Sequence, residues 1–523
     1  MRININHKGT QRLSQRLTKD FLEDLKMHYK RFWKFIIKVT KFLLITGLIS
    51  LVSCSGIPDE FAETKESPEI FPDITDVTVP VNIAPLNFRL TGSPDRIIGV
   101  IEGREGILKV KAREKVIIPL RKWHAMLDKN AGNELLVTVY SKEGDKWSKH
   151  LPFRIFIKET PVDPYLVYRL IAPGYETWSR MGIYQRNITN FDEDPVIDNR
   201  LLTGNCMNCH SFSRNNPEQM LFHLRGKIGG TILATNGSVV KLDTRRKETI
   251  SNCVYPYWHP SGKYIAFSVN NISQVFHSVK EKRVEVMDSK SDLVVYDTEA
   301  NKLITGNIVS SEESFETFPV FSADGNTLFF CSAKKGTIPV DYNKIRYSLC
   351  KISFDPSAGT FGNLVDTLIS SCATGKSISF PRASHDGRHL MFTISDYGNF
   401  TIWHKEADLC LLDLTDGTYH PLDPVNSDET ESYHSWSSGS QWFVFSSRRT
   451  DGLYTRPYIS WLDENGEATK PFLLPQKDPD YYENSLFSFN VPEFVTGRIR
   501  YNGRNMLRAI GSEAKSVTFE LKN

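Results

Sequence analysis

The sequence predicts an all-β chain: a six- or seven-bladed β-propeller preceded by a small β-sandwich. Two observations predict it. Four segments in the second half repeat one pattern, a turn followed by an apolar strand. The stretch before them alternates apolar and polar residues in short runs between turn clusters. At 523 residues the chain exceeds one ordinary core. No segment beyond the N-terminal region is apolar for long enough to cross a bilayer.

Lys30, Arg31, Lys34, Lys38 and Lys41 precede an apolar stretch from Phe42 to Val52, which runs into Ser53 and Cys54. This is the layout of a secretory signal, residues 1–53. The run Leu51-Val52-Ser53-Cys54 resembles the lipobox of bacterial lipoproteins. The resemblance implies cleavage before Cys54 and lipid chains on it, which anchor the protein to a membrane without a span. Ser55 stands where an Asp would direct inner-membrane retention, so the same resemblance implies the outer membrane of a cell envelope. A leader of about forty residues before the apolar core is long for a signal. Met27 is therefore a candidate start, and residues 1–26 an extension.

Residues 1–53 carry 11 Lys and Arg against 3 Asp and Glu, so their removal turns the formal net charge from +3 to −5. The basicity belongs to the targeting segment, and no basic patch argues for a nucleic-acid partner.

Residues 54–75 are polar and rich in Pro and acids, which predicts a lipidated tether. Residues 76–160 hold short alternating runs at 77–79, 87–90, 96–101, 106–110, 135–140 and 154–157. They suit a β-sandwich domain, possible in an immunoglobulin-like form, although the signature Cys…Trp…Cys is absent.

The propeller is assigned to 161–523. Its aligned segments begin at Tyr257, Val320, Arg382 and Ser435, with Gly262, Gly325 and Gly387 in one column and Ser440 replacing glycine in the fourth. A second strand follows each: 293–297, 349–353, 409–413 and 459–463. One such sheet cannot bury its own faces, so blades must stack radially. Weaker repeats lie at Tyr165–Ile188, Cys209–Leu224 and Leu486–Tyr501. The run Pro319 to Phe330, P-x-F-S-x-D-G-x-x-L-F-F, resembles the repeat of TolB-type, WD40-like propellers. That resemblance covers about residues 205–475 and speaks to fold rather than to function.

The chemistry-bearing motif is Cys206-Met207-Asn208-Cys209-His210, a CxxCH. It resembles the haem attachment site of c-type cytochromes. The resemblance implies haem c held by thioethers from Cys206 and Cys209, with His210 as proximal iron ligand. Two intervening residues suit one turn of chain presenting both sulfurs to the porphyrin edge. Export agrees, because haem is attached outside the cytoplasm. Met220, His223 and Met181 are candidates for the sixth ligand. Trp178 and Tyr184 are aromatics that could wall the group, and Arg214 and Arg225 could pair with its propionates. Two other readings stay open: a Cys206–Cys209 disulfide closing a loop, or half a zinc site, for which no second CxxC exists.

Of the remaining cysteines, Cys350 and Cys410 share a column with Val294 and read as core residues. His259, His385 and His389 fall in blade turns and read as turn or surface residues. No G-x-S-x-G elbow, P-loop, H-E-x-x-H or dinucleotide fingerprint is present. The expectation is a binding or electron-transfer protein rather than a hydrolase: an anchored propeller with covalent haem, acting with a redox partner or sensing a ligand. The alternative is a non-catalytic envelope scaffold for protein or glycan partners, with CxxC as a disulfide.

Overall fold

The computed structural model describes residues 56–172, 180–202, 205–276, 284–501 and 503–522. Residues 1–55, with the expected signal segment and Cys54, lie outside them, as does Trp178. Residues Glu63–Asn523 form one compact unit.

The N-terminal part is a seven-stranded sheet against a three-stranded one. Strand Glu134–Glu143 is central, hydrogen-bonded to Arg96–Gly103, Lys146–Lys149 and Phe153–Lys158. Strand Phe153–Lys158 also pairs in parallel with Val77–Pro80. Strict alternation drives the burial: Leu135, Val137 and Val139 point inward, as do Phe153, Ile155 and Ile157. The sequence reading missed one element here, helix Leu120–Lys129. It buries Trp123, Met126 and Leu127, at i, i+3 and i+4, and Trp123 Nε1 donates to the Ile83 carbonyl at 3.0 Å.

The segment expected to be a free tether is partly structured. Ile70–Phe71 pairs with Phe88–Leu90, and Ile70 and Ile74 are buried. The sandwich is also fixed to the propeller. Arg89 meets Asp480 at 2.6 Å and Glu483 at 2.8 Å, Lys115 meets Asp478 and Asp480, and Trp442 Nε1 donates to the Thr160 carbonyl.

Among the described residues six four-stranded blades surround one axis. Blade 1 combines Tyr165–Ile171, Gly182–Asn187 and Glu193–Asp198 with an innermost strand, Ser488–Val495, from near the C-terminus. The two weak repeats at Tyr165–Ile188 and Leu486–Tyr501 are therefore one blade, and this closes the ring. The innermost strands of blades 2 to 6 are Asn205–Phe212, Cys253–Trp258, Ser314–Phe321, Ser377–Ala383 and Glu431–Trp436. The C-terminal segment then runs outside, pairing in parallel with the outer strands of blades 2 and 3.

The repeat column of glycines is explained by backbone geometry. Gly262, Gly325 and Gly387 have φ of 73°, 79° and 77°, and Ser440 adopts 61° in their place. Cys350 and Cys410 are buried opposite Phe330 and Phe392, as Val294 is opposite Phe267.

Candidate functional site

Every innermost strand carries the same irregularity. Two of its residues stand against one on the neighbouring strand, a β-bulge. The bulged pairs are Cys209-His210, Tyr255-Pro256, Phe318-Pro319, Phe380-Pro381, Tyr433-His434 and Val491-Pro492. Proline suits the second place because a bulge leaves an N–H out of the ladder. The first place is left-handed: Tyr255, Phe318, Phe380, Tyr433 and Val491 all have φ of 50–51°. That is costly for such side chains. Ring packing offsets it. Tyr255, Phe318, Phe380 and Tyr433 form an arc with successive centroid separations of 4.5, 4.2 and 4.9 Å. Val491 and Cys209 hold the two remaining register positions of this girdle.

The axis encloses a cavity of about 1070 Å³, at the upper end of ordinary small-molecule sites. At one end the turn after blade 2's inner strand reaches across to blades 6 and 1. Asn215 Nδ2 donates to the carbonyls of Trp436 at 3.1 Å and Phe494 at 2.7 Å, in blades 6 and 1. Beside it Glu493 accepts from the Phe212 N–H at 3.0 Å, and burial pushes its carboxyl up to about 8. The other end lies beneath the long hairpin of blade 3, strands Tyr264–Phe276 and Val284–Asp297, whose Ile272, Phe276 and Val284 line the cavity. The hairpin is clasped to the blade 5 loop. Glu285 accepts from Tyr397 at 2.9 Å and meets His404 at 3.1 Å. Asp288 accepts from the amides of Asn399 and Asn270.

The CxxCH motif opens blade 2 as its inner strand, on the cavity wall. It is extended and bulged, not the turn expected from the spacing. Cys206 lines the cavity, its sulfur 3.6 Å from the Met181 sulfur, and stands opposite Arg225 in the register. Met181, Cys206, His210, Arg214 and Arg225 therefore share one space. Met220 and His223 do not. Both lie on the second strand of the blade, Met220 fully buried among Phe212, Phe222 and Ile232 and His223 near Thr231 at 3.4 Å, away from the cavity. They are core residues, because their strand faces the neighbouring blades rather than the axis.

His210 lies within strand Asn205–Phe212 and is 2% exposed. Neither ring nitrogen has a hydrogen-bond partner. Burial pushes its pKa down to about 3, aided by the Arg169 charge and opposed by the nearby backbone carbonyls of Val167 and Val491. His259 is buried too, not at the surface, with Nδ1 against Ser261 and Nε2 donating to the Gly325 carbonyl of the next blade at 3.1 Å. His389 is likewise buried.

Of the charged residues that line the cavity, the sequence reading missed Arg169, Arg382, Arg448 and Glu493. Arg169 did leave a signal, a lone charge in the otherwise uncharged strand Tyr165–Ile171. Arg382 and Glu493 follow bulges that only the blade alignment exposes.

No family model matches the chain, and no curated protein matches it. Among solved structures, prolyl oligopeptidase B from Galerina marginata is 11% identical with a TM-score of 0.35, over 56% of this chain and 41% of that one. A Mycobacterium tuberculosis puromycin-hydrolyzing peptidase is 10% identical with a TM-score of 0.33, over 79% and 57%. Porphyromonas gingivalis dipeptidyl peptidase 4 is 8% identical with a TM-score of 0.25, over 59% and 49%. The chain spans less than two thirds of each of these proteins. Likeness at this level carries no argument about activity, and the propeller stands on the six blades themselves.

Proposed function

We propose that this protein is an envelope lipoprotein, anchored through Cys54, whose propeller holds a covalent haem c at the Cys206–His210 wall of its central cavity. One observation carries the reading. A buried imidazole whose two nitrogens lack partners leaves desolvated polar atoms, which proteins rarely tolerate. An iron ligand is one resolution, and the lowered pKa keeps the ring neutral, as ligation requires. The setting supports the same reading: a thiol on the cavity wall, the Met181 thioether beside it, and guanidinium groups nearby. In this proposal Cys206 and Cys209 hold the group to the strand, His210 faces the metal, and Met181 replaces Met220 and His223 as the sixth-ligand candidate. Haem would supply a one-electron couple or a ligand-sensing iron, and the role would be electron transfer or sensing with an envelope partner.

A second reading has its own support. His210 occupies the column that holds Pro256, Pro319, Pro381, Pro492 and His434, so a blade can carry histidine there without cysteines nearby. On this reading the protein is a scaffold for protein or glycan partners, and CxxC is a local disulfide. The test is an absorption spectrum of the chain exported in a host that attaches haem, reduced with dithionite and then extracted with acid acetone. A sharp reduced α band that stays with the protein, weakened in Cys206→Ala and kept in Cys372→Ala, is the expected result. A colourless chain with Cys206 joined to Cys209 by mass spectrometry would leave the scaffold. Mass analysis of the mature N-terminus checks the lipid on Cys54.

A further inference from the structure

We propose that the central cavity is a carboxylate-recognition site for a flat, apolar ligand, with Arg169 and Arg225 as the groups that bind the carboxylate. The chain beyond residue 53 carries a formal net charge of −5. Its cavity has the opposite sign. Among the described residues it is lined by five arginines, with Glu493 the one acid and no lysine.

Arg169 is a buried cation without a counter-ion among the described residues. It is 9% exposed, its Nη1 donates to the Met207 carbonyl at 3.2 Å, and its Nε is buried without a partner. No carboxylate is paired with it among the described residues. Burying a charge without a counter-ion is costly, and an anion entering the cavity would relieve that cost. Arg225 adds a second cation. It is half-buried opposite Cys206, lines the same cavity, and has no hydrogen-bond or ion-pair partner among the described residues. Planar guanidinium groups match the carboxylate in a two-bond geometry.

Much of the remaining wall is apolar and aromatic. Phe276, Phe400, Trp403, Tyr433 and Tyr454 supply flat surfaces that favour a ring system over a flexible chain.

This chemistry has two sources: the propionates of a haem attached beside Arg169, or a diffusible aromatic carboxylate. The inference does not rest on the haem reading, and the test separates them. The Cys206→Ala/Cys209→Ala variant of the full chain, which cannot hold covalent haem, is titrated with 1-pyrenebutyrate and with the uncharged 1-pyrenebutanol by fluorescence. The acid is expected to bind at least about tenfold more tightly, in keeping with charge-assisted pairing. Adding Arg169→Gln should abolish that preference and Arg169→Lys should retain part of it. Because Arg169 is buried, Arg225→Gln, at a half-exposed position, carries the same test with little risk to folding. Equal binding of the two probes, binding of neither, or a preference unchanged in both glutamine variants overturns the proposal. If haem-loaded wild type loses the preference, haem propionates fill the site. If it keeps the preference, the source is diffusible. A colourless wild type that prefers the acid would sink the haem reading while leaving this one standing.

Discussion

His210 and His434 occupy the same place in blades 2 and 6, the second residue of the inner-strand bulge, and differ in one bond. His434 Nε2 donates to the Met391 carbonyl of the preceding blade at 3.0 Å, whereas neither His210 nitrogen has a partner in hydrogen-bond geometry. Both rings are buried, and burial pushes both pKa values down to about 3. One histidine is a strut between blades. The other has the strut's position without its bond, and that difference is why a ligand role is argued for His210 alone.

The His434 strut has a pH signature. Its folded pKa lies below the unfolded value of about 6.5, so the folded state binds fewer protons. Its contribution is complete above pH 6.5 and is lost as pH falls toward 3. Each such group steepens the acid limb by about 1.4 kcal/mol per pH unit. His434→Gln keeps a donor for the Met391 carbonyl and removes the titration. Urea unfolding between pH 6 and 4 should show a shallower loss in this variant, and an unchanged slope would refute the assignment.

Asp288 predicts the opposite limb. It is buried and accepts only from the amides of Asn270 and Asn399, and burial pushes its carboxyl up to about 7. A raised folded pKa means stability present at low pH and lost as pH rises through 7. Asp288→Asn can accept the same bonds through its carbonyl oxygen without a charge. The variant should gain stability over wild type at pH 8 and match it near pH 4, at the carboxyl's unfolded value. A uniform loss at both values would mean the carboxylate itself holds the hairpin to the blade 5 loop.

Gly325 is required twice over. Its φ is 79°, and an added Cβ would sit 2.1 Å from His259 Nε2, a ring held by Ser261 and by the Gly325 carbonyl. Gly417 has nearly the same φ, 77°, with nothing within 4 Å of such a Cβ. Gly417→Ala should therefore cost only the backbone strain, about 1–2 kcal/mol. Gly325→Ala should cost clearly more, because the buried His259 has nowhere to move. Equal shifts in denaturation midpoint would remove the steric part of this account.

The propeller was legible because its turns need particular residues. The glycine column marks left-handed positions, and Ser440 shows that the conformation persists where glycine is lost. The helix at 120–129 was hidden inside a region of strand-like runs, since Trp123, Met126 and Leu127 give only one turn of helical spacing. The candidate site was half legible. CxxCH named its residues by chemistry, but whether Met181, Met220 or His223 reaches the cavity depends on which strand of blade 2 or blade 1 carries each. Spacing along the chain does not encode that. The girdle was invisible because its aromatic residues share a column only once the bulges are aligned.

The girdle supplies the last prediction. Val491 sits in the aromatic column at φ 51°, where a β-branched residue is least at ease. Four blades place an aromatic ring at this register position with the same backbone, so Val491→Phe needs no new conformation. The added ring would extend the arc from Tyr433 toward His210 and fill cavity volume next to the motif. Val491→Phe should fold with a denaturation midpoint at or above that of wild type, yet lose pyrenebutyrate binding and covalent haem in the same preparation. A variant that folds and still binds both would place the ligand elsewhere on the axis, away from the Cys206–His210 wall.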